Sequence, residues 1–167
     1  LPLGGSMLSL CCGAGFFEKH YYSKRCSSIV AVDRDRSALA YAARLHNAAN
    51  INYRLSDVFE LGFPDHSFDV VVMRSAIEHF TEAQQRDLTS SIKRWLKPGG
   101  WFVGDTPANP DHGESNKLLE HHEHEWSSEV EMREDLGRYF SEVVTCSLVS
   151  NEPTANATRE TLFWACR

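Results

Sequence analysis

Two glycines and one carboxylate stand at a spacing that suits the binding of a nucleoside. The apolar run Met7–Leu10 leads into Gly13 and Gly15, and a second apolar run, Ile29–Val32, ends at Asp33. Glycine allows positive φ and lets a ligand approach the bare backbone. A carboxylate at the end of the second strand of such a unit can accept hydrogen bonds from a ribose diol. The spacing therefore predicts a nucleoside site with Asp33 as its ribose ligand, rather than as an ordinary surface acid.

The residue that follows the glycines argues against a dinucleotide. In the pattern G-x-G-x-x-G counted from Gly13, Glu18 stands where the final glycine belongs. Its carboxylate lies on the first turn of a helix predicted over Phe16–Lys24, where it opposes a pyrophosphate. Arg34 and Arg36 raise the alternative of an NADP 2′-phosphate, but Asp33 would repel that phosphate. We therefore expect a nucleoside ligand without phosphates.

Further segments join this turn in a pattern that spans nearly the whole chain. The turn itself reads Leu10-Cys11-Cys12-Gly13-Ala14-Gly15. It is followed by Asp33, Asp57, Ile77-Glu78-His79, Lys97-Pro98-Gly99-Gly100 and a closing hairpin of the last two predicted strands. Together these segments resemble the class I S-adenosylmethionine (AdoMet)-dependent methyltransferases, of the type that acts on small molecules. One departure is Ser9, which stands where the family usually carries an acidic residue. The resemblance implies AdoMet as the cofactor and S-adenosylhomocysteine (AdoHcy) as the product.

The resemblance also implies which residues bind the cofactor. Asp57 would accept from the adenine amino group while the backbone of Val58 meets the ring; a turn cap is the alternative role of Asp57. Arg74 would hold the methionine carboxylate or an acidic acceptor, unless it simply pairs with a nearby acid. The full set of expected cofactor-binding residues is Cys11, Gly13, Gly15, Asp33, Arg34, Asp57, Val58 and Arg74.

Methyl transfer needs alignment and the exclusion of water, and no covalent enzyme intermediate. A hydroxyl acceptor also needs a base. The candidate catalytic residues are His79, His124 and Asp105. Histidine titrates near neutral pH and can move protons there, and a carboxylate such as that of Asp105 can also act as a base. A structural role for His79, packed and hydrogen bonded under a helix, stays open.

The cluster His121-His122-Glu123-His124-Glu125-Trp126 contains residue types that bind zinc or iron. Its spacing is not that of H-E-x-x-H, and the family that the chain resembles mostly works without a metal. We therefore expect no metal, and we expect His124 and Trp126 to border the acceptor pocket, as a His-x-Glu-Trp element does in similar enzymes. Residues 107–127 are predicted to cover the acceptor side, with a plain surface insertion as the alternative.

Strand and helix patterns alternate along the chain, which predicts an α/β fold with a parallel, doubly wound sheet. The last two strands are joined by a short turn and must form an antiparallel hairpin. The resemblance implies a Rossmann-like strand order of 3-2-1-4-5-7-6. We expect a single domain over residues 1–167. Since the chain begins almost on its first strand, one interpretation is that the helical cover preceding that strand in similar enzymes is missing.

The composition of the chain limits the kinds of partner that it can be expected to bind. The formal charge of −6 argues against binding to a nucleic-acid backbone, and no apolar run approaches the roughly 20 residues of a membrane helix. Five cysteines, two of them adjacent, do not suit a disulfide framework and indicate a reducing, cytoplasmic setting. The expected partner is a small-molecule acceptor, with no nucleic acid and no membrane. The oligomeric state is left open.

The resemblance implies transfer of the methyl group of AdoMet to an oxygen or nitrogen of a small molecule. The alternative is a non-catalytic AdoMet-binding domain that regulates or scaffolds a partner; Ser9 and the short N-terminus motivate it. The sequence does not name the acceptor.

Overall fold

The computed structural model describes residues 4–109, 121–152 and 157–167. Seven strands of this described part form one sheet, and they are β1 (Ser6–Leu10), β2 (Ser28–Asp33), β3 (Ile51–Leu55), β4 (Phe68–Arg74), β5 (Leu96–Pro107), β6 (Val143–Glu152) and β7 (Ala157–Cys166). Their order across the sheet is β3-β2-β1-β4-β5-β7-β6. β1 to β5 run parallel, and β7 is antiparallel to both β5 and β6. The Rossmann-like fold, its strand order and its closing hairpin are confirmed.

The two central strands are apolar on both faces because the sheet is covered on both faces. Met7 and Leu8 of β1, and Val70 and Val71 of β4, are fully buried. Their side chains belong to two separate apolar clusters. This packing fixes the carboxyl ends of β1 and β4 side by side, at the edge where ligands of α/β sheets bind.

Three helices flank the sheet within the described residues, and they are α1 (Arg36–Leu45), α2 (Glu82–Trp95) and α3 (Glu129–Leu136). Asp35 caps α1 by accepting from the next backbone amides, and Ser128 caps α3. Thr81 caps α2 as predicted and forms a capping box with Gln84. None of the helices described is long and apolar enough to cross a membrane.

The helix predicted over Phe16–Lys24 is mainly a π-helix, Glu18–Tyr22. The Ser23 amide donates to the Glu18 carbonyl at 2.8 Å, which is a bond between residues five apart. Such wider turns are rare and re-aim side chains, often at functional sites. Here the Glu18 side chain is turned inward, and the residue is only 3% exposed.

The apolar run at residues 101–104 predicts a fifth strand, but β5 begins five residues earlier, at Leu96. Its first part contains Lys97–Gly100, whose proline and glycines predict the end of the preceding helix rather than a strand. The Lys97 ammonium donates to the Asp69 carboxylate at 2.8 Å and fastens this part of β5 to β4. At its other end β5 carries Asp105 and Thr106, both buried, to the ligand-binding edge.

Candidate functional site

The glycine turn after β1 contains three residues in the left-handed region: Cys11, Gly13 and Gly15, with φ of 53°, 54° and 74°. A Cβ at Gly15 would lie 2.3 Å from the Tyr53 hydroxyl oxygen, whereas a Cβ at Gly13 would meet no atom within 4 Å. Gly15 is therefore required by packing. Gly13 faces open space that a ligand can enter.

Asp33, at the end of β2, is bonded directly to this turn. Its Oδ2 accepts from the Gly13 amide at 2.7 Å, and its Oδ1 accepts from the Asp35 amide at 2.8 Å. Each carboxylate oxygen has two lone pairs, so both oxygens can still accept from a hydroxyl. The residues singled out by their spacing thus meet at one place.

A cavity of about 370 Å³, which we call the Asp33 cavity, lies beside this bond. Its walls bring together most of the residues expected to bind the nucleoside, with one candidate base: Cys11, Asp33, Arg34, Asp57, Val58 and His79. Asp57 Oδ1 accepts from the Phe59 amide at 2.9 Å, so Asp57 also caps a turn. Burial, aided by the Asp33 charge, raises the pKa of Cys11 to about 12. Its thiol is therefore neutral and unreactive.

A second cavity of about 230 Å³, the Glu18 cavity, shares Cys11 and Ser75 with the first. Ser9, Glu18 and Arg74 also line it. The Ser9 hydroxyl donates to Glu18 Oε1 at 2.6 Å, and burial raises the pKa of Glu18. A carboxylate thus stands beside the residue that occupies the acidic position of the family.

A third cavity of about 1080 Å³, the aromatic cavity, is wide and open. Phe17 and Arg74 line both it and the Glu18 cavity. Arg74 Nε donates to Asp105 Oδ1 at 2.5 Å, and its guanidinium carbon lies 3.8 Å from the Phe17 ring centroid. Asp105 Oδ2 accepts from the Ser75 hydroxyl at 2.9 Å. Arg74 therefore pairs with an acid and at the same time separates two cavities.

The candidate catalytic residues are not gathered at one point. His79 lines the Asp33 cavity, and Asp105 lines the aromatic cavity. His124 lies against Gln85 of α2, with 3.2 Å between His124 Nδ1 and Gln85 Oε1. Trp126 is 4% exposed and donates from Nε1 to Asp135 Oδ2 at 2.9 Å. The structure does not place His124 or Trp126 in the walls of the three cavities described above. Most of the predicted cover, residues 110–120, lies outside the described residues.

Two residues of these walls were missed as ligand contacts. Glu18 was considered only as an obstacle to a pyrophosphate, and Ser75, with φ of 43°, was given no role. A signal for Glu18 existed, since a serine in place of the family's acid suggests that the charge comes from elsewhere. Ser75 carries no such signal, because its exposure to two cavities follows from its backbone conformation.

The comparisons with known proteins agree with this architecture. An uncharacterized methyltransferase of Synechocystis sp. is 32% identical over 100 residues, which are 60% of this chain and 46% of that protein. Phosphoethanolamine N-methyltransferase 1 of Zea mays is 28% identical over 102 residues, 60% of this chain and 20% of that protein. The chain thus spans less than half the length of these relatives.

Among solved structures, phosphoethanolamine N-methyltransferase 2 of Haemonchus contortus, bound to phosphomonomethylethanolamine and AdoHcy, superposes with a TM-score of 0.80 at 19% identity. The match covers 99% of this chain and 49% of that one, and it shows a shared fold. A family model described as "Methyltransferase domain" matches residues 8–104, from β1 to the middle of β5. These residues include the glycine turn, Asp33, Asp57 and the turn after β4, and the chain belongs to the methyltransferase domain family.

Proposed function

We infer that this chain is an AdoMet-dependent methyltransferase domain that transfers the methyl group to an oxygen or nitrogen of a small-molecule acceptor. The bond of 2.7 Å from the Gly13 amide to the Asp33 carboxylate carries this proposal. Gly13 lines the Glu18 cavity and Asp33 lines the Asp33 cavity, so the two cavities form one elongated site. Its size lies in the range of small-molecule sites, and its shape suits a nucleoside with an amino-acid tail.

The Asp33 cavity would hold the adenosine half of AdoMet. Asp33 would accept from the ribose hydroxyls, and Arg34 would cover the exposed side of the ribose. Asp57 Oδ2 would accept from the adenine amino group, with Val58, 6% exposed, against the ring. The neutral Cys11 thiol adds no charge beside an uncharged nucleoside.

The Glu18 cavity would hold the methionine half, which carries one ammonium and one carboxylate. Glu18 and Arg74 offer the opposite charges on its walls. Arg74 uses Nε for Asp105 and also bonds the Tyr22 side chain, and a guanidinium with five N–H donors has others left for a carboxylate. This arrangement removes the main reason for the non-catalytic alternative, because Glu18 provides the carboxylate that Ser9 lacks.

The chemistry would be a direct displacement. A lone pair of the acceptor forms a bond to the methyl carbon while the carbon–sulfur bond of AdoMet breaks and releases AdoHcy. The acceptor proton passes to a base or to water. Asp105 is paired with Arg74 and His124 bonds Gln85, so we favour His79, which lines the Asp33 cavity together with Ser75.

The acceptor would reach the methyl group where the Asp33 and Glu18 cavities meet, at Cys11 and Ser75, on the side that His79 lines. The maize relative is named for the N-methylation of phosphoethanolamine, which supports a small polar acceptor. All five cysteines are free, which supports a reducing, cytoplasmic setting.

Turnover tests this function most simply. The protein is incubated with AdoMet and a pooled library of small-molecule amines, alcohols and phenols, and the release of AdoHcy is measured. We expect at least one pool to raise AdoHcy release above the rate without acceptor. AdoHcy that binds tightly, with no pool raising turnover, would favour the non-catalytic domain instead.

A further inference from the structure

A cluster of metal-ligand side chains lies beside the Asp33 cavity. Glu78 and His79 follow β4, and His122 belongs to the segment that leads to α3. One nitrogen or oxygen atom from each of the three lies within 4.8 Å of those of the other two. His79 is also a wall residue of the Asp33 cavity, so the cluster adjoins the proposed cofactor site.

Each of the two histidines is oriented by a partner at Nδ1. His79 Nδ1 lies 3.0 Å from the His121 carbonyl oxygen, and His122 Nδ1 lies 2.5 Å from Glu125 Oε1. A carbonyl or carboxylate oxygen only accepts, so Nδ1 carries the hydrogen in both rings and Nε2 keeps its lone pair. Metal-binding histidines are held in this way, by an oxygen on the nitrogen that does not bind the metal.

Glu78 shows the same pattern. Its Oε2 accepts from the Thr106 hydroxyl at 2.9 Å, and the carboxylate oxygens keep further lone pairs for a metal. Glu78 is only 2% exposed. Among the described residues no lysine or arginine forms an ion pair with it. A buried carboxylate of this kind needs a cation or a proton to offset its desolvation.

We propose that Glu78, His79 and His122 bind a divalent transition metal, such as Zn²⁺, at the rim of the AdoMet site. Two imidazole nitrogens and one carboxylate oxygen are a common ligand set for zinc, which leaves a fourth position to water or substrate. With ligand bonds of about 2.0–2.2 Å, the three side chains would close together by roughly 1 Å. His79 is exposed and has room for that movement.

The sequence predicted no metal because the ligand types within His121–Glu125 are unevenly spaced. The structure instead takes two ligands from the turn after β4 and only one, His122, from that segment. Glu125 has the outer role of orienting His122. The site is therefore assembled across the edge of the sheet, which no local spacing can reveal.

The effect of the metal rests on the proposed function. A metal with one open position would bind an acceptor hydroxyl oxygen and make its proton more acidic. His79 would then be a ligand rather than the base, and the hydroxyl proton would pass to water while an oxygen lone pair attacks the methyl carbon. Metal binding itself can be measured independently of turnover.

The test is titration of tag-free, metal-stripped protein with Co²⁺, read by visible absorption, followed by displacement with Zn²⁺. We expect one Co²⁺ per chain. Glu78→Gln and His122→Ala should each weaken binding at least tenfold. His121→Ala is the matched control and should bind Co²⁺ as the wild type does, because the variant keeps the carbonyl oxygen that orients His79.

Calorimetry with AdoHcy on the same samples separates this inference from the proposed function. Protein that binds AdoHcy but shows no saturable Co²⁺ absorption would overturn the metal site and leave the function standing. Equal weakening in His121→Ala and His122→Ala would overturn it as well. If Glu78→Gln fails to fold, as shown by circular dichroism, His122→Ala and His121→Ala still decide the question.

Discussion

At the scale of single residues, Ser9 and Glu18 show how a buried charge can come from a neighbouring element. Both are 3% exposed, and they are joined by a hydrogen bond of 2.6 Å between β1 and the π-helix. A carboxylate on either residue would reach the same cavity. The chain thus keeps an acid in this cavity although its first strand carries a serine.

If Glu18 supplies the acidic group in place of Ser9, Glu18→Gln should weaken AdoMet binding. Loss of a charged hydrogen bond to the methionine ammonium costs about 1.5–3 kcal/mol, which is roughly tenfold or more in affinity. The double variant Ser9→Asp, Glu18→Ser returns the carboxylate to β1 and should recover most of that affinity. Calorimetric titration with AdoHcy measures both variants. An unchanged Kd in Glu18→Gln would show that the ammonium binds elsewhere.

Burial of the Glu18 carboxylate should lower the free energy of unfolding at neutral pH. Burial raises the pKa of Glu18 in the folded protein, so the folded state binds its proton more tightly than the unfolded state does. Stability from this group is therefore full below the ordinary glutamate pKa of about 4.3 and falls as pH rises through the raised value. We expect Glu18→Gln to unfold at a higher temperature than the wild type at pH 7, with the gain disappearing towards pH 4. A less stable variant at neutral pH would contradict this.

At the scale of elements, the two glycines of the turn after β1 have different roles, because Gly15 is required by packing and Gly13 faces the ligand space. Gly15→Ala would place a methyl group 2.3 Å from the Tyr53 hydroxyl oxygen at a φ of 74°, so it should lower stability well beyond the backbone cost of about 1–2 kcal/mol. Gly13→Ala meets no protein atom within 4 Å and should cost only that backbone term. Its methyl group instead enters the ligand space and should weaken AdoHcy binding. Urea unfolding measures the stability of the two variants, and calorimetry measures their affinity for AdoHcy. A stable Gly15→Ala variant with weak AdoHcy binding, or an unstable Gly13→Ala variant with normal binding, would contradict these roles.

The contacts of Trp126, in the segment before α3, indicate a role in packing. Its ring packs edge-on against Trp164, with 5.9 Å between centroids, and its Nε1 bonds Asp135. Trp126→Ala should therefore lower the free energy of unfolding by about 3–5 kcal/mol. Trp126→Phe keeps most of the packing and should cost less. If Trp126→Ala instead raised the acceptor KM with no change in unfolding, Trp126 would belong to the acceptor pocket as first expected.

The elements also show where sequence reasoning succeeds. Asp33 and Gly13 were predicted to belong to the same nucleoside site, and they bond directly, because β1 and β2 end at the same edge of the sheet. The π-helix was not predicted, since its apolar spacing over five residues is compatible with an ordinary helix. Pairs such as Ser9–Glu18 and Glu78–His122 could not be predicted either. They depend on side-chain directions set by a wider turn and by the sheet edge.

At the scale of the whole molecule, the three cavities described lie side by side along the carboxyl ends of the strands. Cys11 and Ser75 line both of the first two, and Phe17 and Arg74 line both of the last two. Strand order explains this arrangement: β2, β1, β4 and β5 are neighbours, so the residues that follow them line up in the same order. The resemblance predicted that order. The aromatic cavity on the open side was not predicted, because it depends on how β7 brings Trp164 next to Gly104.

The most direct test of the central claim, that AdoMet binds at this edge through Asp33, is calorimetric titration with AdoHcy of wild type, Asp33→Ala and Asp35→Ala. Asp35 is a matched control because it caps α1 two residues away and lines none of the three cavities described. We expect one site in the wild type, at least tenfold weaker binding in Asp33→Ala, which is about 1.4 kcal/mol, and little change in Asp35→Ala. NADH should not compete. No AdoHcy binding in the wild type, or equal affinity in all three proteins, would contradict the account.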